Sequence, residues 1–597
     1  MNAYAAQVTG SGGSFNYPGW NPNQFYLARA NIDLEDNAAV ATQTLARGVL
    51  GLKGDFAIFD HKYNWEVAAN YGESSNTATQ PSLVYQNVVN ALNSTTNSAG
   101  QIVCAGTPVN APTTTTSSAC APLNVFGVGS PSLAAQQYIT HLAQQTSYNT
   151  QRDVTGNING DVWKLPGGEW KASLGFENRR ESADYTPDSF YTQGLGQNTL
   201  TGVEGAYHTN EGSFETRIPL FGGDFVFPGM QSLELNGAAR YVDNSVAGDA
   251  WTYTEGVEWL PIQDVKFRAN KTKSIRAPSI TELFLPAATS FQFANDPCDH
   301  NFIGQGTAPA TRAANCAAAG IPQGFVSNVV NATAQGINSG NQGLSSETAH
   351  SLSYGVVLRP HWVPRLNMSV DYISIRLTNA IENLALGDIL DACYDSSSYP
   401  NTPACHQFTR GPTGQITSFT SGYINAGLLD FAAIQAALDY NFDLPWNLGN
   451  LETRAQYLDT QKLVSQVGSA SPESLAGELV GVGNSKTKGT IDATYTNRGI
   501  SLDWQAIFIG RANFNNQNLA NTFNYFGVGN WWVMNATLEY HVSPTFSVQF
   551  ILNNVFNKMP PFPALAGAQG NFTPAVSQYF EGVIGRAMIL GANWKAF

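Results

Sequence analysis

The chain has 597 residues, enough for several soluble domains or one very large barrel. Only 12% of them are charged, about half the share of an ordinary soluble domain, and a net charge of −14 argues against a nucleic-acid-binding face. Mean hydropathy is −0.18, and no apolar run approaches the roughly 18 residues of a membrane-spanning helix. Polar Asn, Gln, Ser, Thr and Gly are interleaved with apolar residues instead, as in a wall that is apolar on alternate positions.

Met1-Asn2-Ala3-Tyr4 lacks the basic and apolar regions of an export signal, which predicts that sequence upstream is missing and that residues 1–43 form an outer loop. From there on the pattern is two-residue alternation. It predicts about seventeen strands at 44–56, 63–75, 149–165, 169–187, 206–220, 230–246, 249–261, 265–278, 349–360, 366–381, 416–444, 449–464, 486–499, 500–514, 530–544, 546–558 and 585–597. The clearest is Trp532, Met534, Ala536, Leu538, Tyr540 and Val542 against Val533, Asn535, Thr537, Glu539 and His541. Charged residues stand on the polar set in mid-strand, which suits a watery lumen rather than a sandwich core.

The connections alternate in length. Short turns fall at 57–62, 166–168, 221–229, 261–264, 361–365, 445–448, 497–499 and 543–544. Long segments fall at 76–148, 188–205, 279–348, 382–415, 465–485, 515–529 and 559–584, with 247–248 the one short exception. Short periplasmic turns opposite long outer loops is the layout of an outer-membrane barrel. An odd strand number that begins in an outer loop cannot close alone, so the expectation is the larger part of a barrel, not all of it.

Six cysteines fall in local pairs inside the long segments: Cys104 with Cys120, Cys298 with Cys316, and Cys393 with Cys405. Disulfides that staple exposed loops are the favoured reading. Cys298-Asp299-His300 and Cys405-His406 lack the CxxC spacing of a metal site, and no metal or cofactor is expected.

Several stretches resemble the TonB-dependent outer-membrane receptors. Ser274-Ile275-Arg276-Ala277-Pro278-Ser279-Ile280-Thr281-Glu282-Leu283-Phe284 is similar to a strand-ending segment of that family. Leu552-Asn553-Asn554-Val555-Phe556-Asn557-Lys558 and the terminal Gly585-Arg586 through Phe597 are similar to its C-terminal segments. The resemblance covers about residue 44 to the end and implies an all-β transmembrane antiparallel barrel of 22 strands, of which these would be strands six to twenty-two. It further implies a plug domain, absent from these residues, that couples to the TonB-ExbB-ExbD system, and uptake of a carbohydrate, siderophore or similar nutrient across the outer membrane of a Gram-negative bacterium. The alternatives are a passive porin or carbohydrate-selective channel and, less favoured, a secreted β-rich protein.

No GxSxG, HExxH or P-loop sequence occurs, so no enzymatic activity is expected. Glu177, Glu181, Asp184 and Asp188 read as polar wall or rim rather than paired catalytic carboxylates. Arg276 and Glu282 flank a strand end, where they read as a contact with a loop or plug, or as a terminus enforced by Pro278. Aromatic faces are the best ligand candidates: Phe291 and Phe293 deep in a long loop, and Tyr525 and Phe526 in another. Trp251, Trp531 and Trp532, at strand edges, read as interfacial girdle. Asn593 and Lys595 on the register of Phe597, with Met588, Leu590 and Trp594 on the other, predict a bulge or slip in the last strand.

Overall fold

The computed structural model describes residues 33–34, 39–59, 61–105, 120–196, 198–305, 308–468, 472–479, 485–513, 516, 527–561 and 579–595. Seventeen long strands appear in the predicted order. They are β1 (Val40–Ile58), β2 (His61–Leu83), β3 (Thr140–Leu165), β4 (Gly168–Thr186), β5 (Val203–Phe221) and β6 (Ser232–Asn244). Next come β7 (Gly248–Ile262), β8 (Val265–Arg276), β9 (Glu347–Leu358), β10 (Leu366–Leu384), β11 (Ile416–Asp443) and β12 (Asn450–Val467). The last are β13 (Thr487–Asn497), β14 (Ile500–Ile509), β15 (Trp531–Ser543), β16 (Phe546–Asn553) and β17 (Ala587–Trp594).

Each strand pairs with its neighbour in sequence, antiparallel wherever the register is defined. Among the described residues no ladder joins β1 to β17, and both strands are exposed on nearly every side chain, as edge strands are.

The alternation has the consequence expected of it. On one face stand large apolar residues with solvent-accessible side chains, among them Leu174, Phe176, Phe214, Phe267, Tyr354, Val370, Leu502 and Leu538. The opposite face is polar. Short connections stay short for local reasons: Arg498 and Gly499, both at positive φ, make the two-residue turn between β13 and β14 whose twist matches a hairpin.

Two strand-level expectations are corrected. The strand at 546–558 ends at Asn553 because Asn554 takes a positive φ and folds its side chain onto Lys558, donating to its carbonyl at 3.0 Å and accepting from its N–H at 2.6 Å. From Ala587 to Trp594 the last strand pairs without a shift: Met588, Leu590, Ala592 and Trp594 align with Leu552, Phe550, Val548 and Phe546 in one apolar face. Phe597 lies outside the described residues. Trp531 is not girdle; it is 2% exposed, packs edge-on against Tyr579, and donates its indole N–H to the Met559 carbonyl. Trp251 and Trp532 are exposed at strand edges.

The chain divides into two compact units, residues 1–42, 77–145 and 187–199, and residues 43–76, 146–186 and 200–597. The smaller carries α1 (Tyr85–Leu92), α2 (Leu133–Ile139) and α3 (Ser189–Thr192), built around Ala91, Leu123, Ala135, Tyr138 and Ile139. There the Cys104–Cys120 bond spans a Cα separation of 6.2 Å. Asp188 caps α3 by accepting from the Phe190 N–H and also accepts from Gln144 N–H. Burial works to raise its carboxyl, but these bonds and His141 outweigh it and hold it below the usual range. The larger unit holds most of β1, β2 and β3, the sheet from β4 onward and the loop layer described next.

Candidate functional site

Beyond β8 the chain leaves the sheet by a defined route. Ser279 caps α4 (Ile280–Phe284) and Glu282 returns to the Ser279 N–H, a capping box. Glu282 also pairs with Arg276 at 2.9 and 3.0 Å. The same guanidinium grips Glu347 of β9 at 2.6 and 2.8 Å, and Glu347 accepts from Ile381 N–H of β10. Arg276 therefore ties one strand end to a loop helix and to two further strands. Pro278 and the capping box together explain why the strand stops there. Gly205 in β5 is a glycine for a packing reason: a Cβ there would lie 2.3 Å from the ring of Phe284.

Residues 277–346 and 385–415 then build a folded layer rather than open loops. A hairpin of Ala288–Gln292 with Ala334–Ser339 runs its second strand parallel to the start of β11. Gly336 lies directly over Phe419, where a Cβ would come within 2.6 Å of the ring. Helices α5 (Pro309–Ala318) and α6 (Leu386–Tyr394) carry Cys316 and Cys393 into a core with Cys298, Leu386, Leu390, Tyr394 and Phe419. Both disulfides are formed, with Cα separations of 5.5 Å for Cys298–Cys316 and 4.9 Å for Cys393–Cys405. The metal alternative for Cys298 and Cys405 is thereby excluded.

Two arginines, Arg312 buried and Arg410 nearly so, lock the layer. Arg410 forms a two-pronged pair with Asp296 at 2.8 and 2.9 Å, donates to the Tyr394 hydroxyl and the Gly414 carbonyl, and lies over the rings of Tyr394, Phe408 and Phe325. Asp296 is 0% exposed and also accepts from Ser327 and the Cys298 N–H. Burial alone would raise its carboxyl, but Arg410 and these donors hold it below the usual carboxylate range. Arg312 of α5 reaches Asp391 and Asp395 of the α6 end at 2.7 and 2.6 Å. Desolvation raises Asp391 to about 6 in spite of Arg312, with Asp395 and Asp388 adding to the rise.

This layer displays the predicted aromatics. Phe291 and Thr289 share a face of the hairpin with Ile337 and Gln335, while Gln292 turns the other way to accept from Leu386 N–H. Phe291 is 40% exposed and Phe293 53%. Tyr525 and Phe526 lie outside the described residues. Asn553, Asn554 and Phe556 have structural positions: Asn553 ends the β16–β17 ladder, Asn554 ties off the turn, and Phe556 meets Trp504 edge-on at 6.3 Å.

The polar face of the sheet is a second chemical surface. Arg179 lies within 3.7–3.8 Å of Glu177, Glu181 and Glu211, and Arg240 pairs with Glu211 at 2.9 Å. A concavity of about 390 Å³ is lined here by Arg179, Tyr207, Glu211, Arg240 and Thr272. Glu177 and Glu211 stand directly opposite each other on β4 and β5, which the two arginines make tolerable. Arg268 crosses over Gly355 to Asp371 at 2.6 and 2.7 Å, and a Cβ on that glycine would strike the carboxylate. These charges belong to an ion-pair network on the wall, not to an acid and nucleophile set apart for glycoside chemistry.

A family model described as TonB dependent receptor-like, beta-barrel matches residues 2–555. The chain belongs to that family. Its members are transport proteins of the Gram-negative outer membrane and not enzymes. No curated protein matches the chain in sequence. The receptor barrel is similar in structure to the siderophore receptor PirA from Acinetobacter baumannii, with a TM-score of 0.51 and 12% identity over 93% of this chain. It spans 63% of that receptor's length. A variant of the ferric enterobactin receptor PfeA from Pseudomonas aeruginosa is also similar, at 11% identity and a TM-score of 0.48, over 92% of this chain and 70% of that one. At 12% identity the likeness to PirA establishes the fold.

Sequence reasoning missed the helices of the loop layer and the Arg410–Asp296 and Arg312–Asp391/Asp395 pairs. A signal existed: charged residues are scarce in this chain, and Arg312 and Arg410 stand inside Cys-bearing segments.

Proposed function

We propose that this receptor barrel takes part in energised import of a scarce nutrient across the outer membrane, with its loop layer capturing the ligand and its polar face lining the route. The observation that carries this reading is the family match over residues 2–555. It favours uptake driven through TonB, ExbB and ExbD, by way of a plug domain, over the passive porin. The folded, stapled layer supports it, because a capture surface gains affinity when its loops are ordered before the ligand arrives. Phe291 and Phe293 are the aromatic contacts, with Tyr525 and Phe526 as further candidates, and Arg276, Pro278 and Glu282 position the layer. The ligand class that suits exposed aromatic faces and the solved relatives is a ferric chelate, with a neutral oligosaccharide as the second choice.

The test is equilibrium binding to the purified chain in detergent, with ferric enterobactin and maltohexaose as probes and tryptophan fluorescence as readout. Ferric chelate binding is expected, weakened about tenfold by Phe291→Ala with Phe293→Ala. Binding of neither probe, or binding indifferent to both substitutions, would overturn the capture role.

A further inference from the structure

The short-turn rim of the wall carries two tryptophans that its packing does not use. Trp446, in the turn between β11 and β12, is 88% exposed, and Trp362, in the turn between β9 and β10, is 70% exposed. Both lie past the strand ends. The outward apolar face stops short of them, closing on β11 with Tyr440 and Phe442 stacked at 4.8 Å. Trp446 has φ 60° and ψ 28°, and Asn447 has φ 57°. Two left-handed residues in succession give the twist a hairpin requires, and Asn or Gly adopts it readily, whereas a bulky side chain is disfavoured there. Trp446 therefore holds an unfavourable backbone without gaining burial, and strain of this kind gathers at binding sites.

Both turns are clamped by their neighbours. Leu444 N–H donates to the Gly449 carbonyl at 2.8 Å, and the Leu448 carbonyl accepts from the Tyr495 hydroxyl at 2.6 Å and the Asn497 amide at 3.1 Å. In the other turn His361 meets Asp264 through its backbone N–H at 3.0 Å and its ring at 2.8 Å, and packs edge-on against Trp362 at 5.2 Å. Arg365 joins the two turns by donating to Asn441 and Asp443 at the end of β11, and Asn450 donates to the same two residues from β12. The turns thus form one ledge, their centres two strand spacings or roughly 10 Å apart.

An exposed planar ring without walls suits a ligand that is itself flat-faced. A sugar ring offers such a face of C–H groups. In a β-1,4-linked glycan alternate rings present the same face, so two fixed indoles can stack on two rings of one strand. A polyproline segment wants an aromatic-lined groove, and these indoles stand clear of walls. Asn447, Arg365 and Asp443, exposed beside them, have the donors and acceptors for acetamido and hydroxyl groups. We infer that Trp362 and Trp446 form a docking ledge for a periplasmic glycan strand of β-1,4-linked, N-acetylated sugars. This contact would anchor the receptor from below and is independent of ligand capture by the loop layer. Its periplasmic setting rests on the reading of the short turns as facing the periplasm; the stacking itself does not.

The test uses the full chain folded in detergent, with strand content checked by circular dichroism. Isolated peptidoglycan sacculi are the probe, and the chain that sediments with them is measured with chitohexaose or cellohexaose as competitor. Retention is expected, with chitohexaose displacing the chain at about tenfold lower concentration than cellohexaose, which lacks acetamido groups. The folded double variant W362A/W446A should be retained about tenfold less. Trp446→Asn separates binding from folding: Asn accepts a left-handed φ, so the melting temperature should hold or rise while retention falls about threefold. Equal retention of the wild type and the folded double variant overturns the ledge. Displacement by a proline-rich peptide but not by chitohexaose overturns the glycan in favour of a polypeptide. A larger fraction of fluorescence quenched by brominated detergent in the wild type than in the double variant places the indoles in the micelle, and overturns the site in favour of an interfacial anchor.

Discussion

The wall and the loop layer of the larger unit are built on opposite economies of interaction. In the wall, cohesion is spread over ladder after ladder of backbone hydrogen bonds, and even its largest apolar side chains stand exposed, Leu174 and Tyr354 among them. In the layer, regular structure is short, and cohesion is concentrated in a few buried side chains: Arg410 with Asp296, Arg312 with Asp395, two disulfides and the cluster around Leu390 and Phe419. A distributed structure tolerates the loss of any one residue. A concentrated one does not, so single substitutions should separate the two regions cleanly.

The largest separation is expected from Arg410→Met. It leaves the Asp296 carboxylate buried without its guanidinium, a loss of about 4 kcal/mol of local stability. Hydrogen exchange read by mass spectrometry should accelerate across 288–339 and 385–415 and stay unchanged in β13 to β16; equal acceleration in both would erase the distinction. Replacing Cys298 and Cys316 together by Ala opens a loop of 18 residues and should cost about 3 kcal/mol, confined to the layer. Limited proteolysis should then cut near α5 while the strands keep their heat-modifiable migration. Arg276→Gln tests the seam, because its two carboxylate partners lie on α4 and β9. A loss of about 2 kcal/mol is expected, with faster exchange in α4 and at the loop end of β9 alike; an effect in α4 alone would place Arg276 in the layer only.

The smallest effect concerns pH. Asp391 titrates at about 6 in the folded layer, above its ordinary value, so the folded state holds the proton more tightly than the unfolded state. Its contribution is therefore fully present below the ordinary carboxylate value and is lost as pH rises through about 6. The carboxylate is 40% exposed, so solvent screening keeps the difference below about 1 kcal/mol. Asp391→Asn should flatten the dependence of layer exchange on pH across that window, and an unchanged slope would assign it to another group.

Much of the wall was legible because its information is local. Alternation with a period of two residues identifies a strand from its own sequence, and all seventeen were placed within a few residues except where β2, β3 and others run on past the membrane-like pattern. The strand ends were harder. Asn554 stops β16 through its own side chain, and Gln461 bulges β12 without any turn residue to mark it. Of the candidate site, Phe291 and Phe293 were visible as aromatics in a long loop, and Arg276 and Glu282 as a strand-end pair that the structure joins. That Arg276 also holds Glu347, 71 residues away, was not visible.

By itself, then, the amino-acid sequence determined the all-β alternation, the order of short turns and long loops, and which cysteines pair, since each depends on neighbours along the chain. Tertiary structure alone decided that the long loops condense into a layer, that Arg410 finds Asp296 across 114 residues, that Trp531 is buried, and that a bulge places Lys462 beside Asp430. The reason is physical: periodicity and turn chemistry act over a few residues, whereas burial, ion pairing and the facing of a bulged strand are settled only when distant segments compete for the same space.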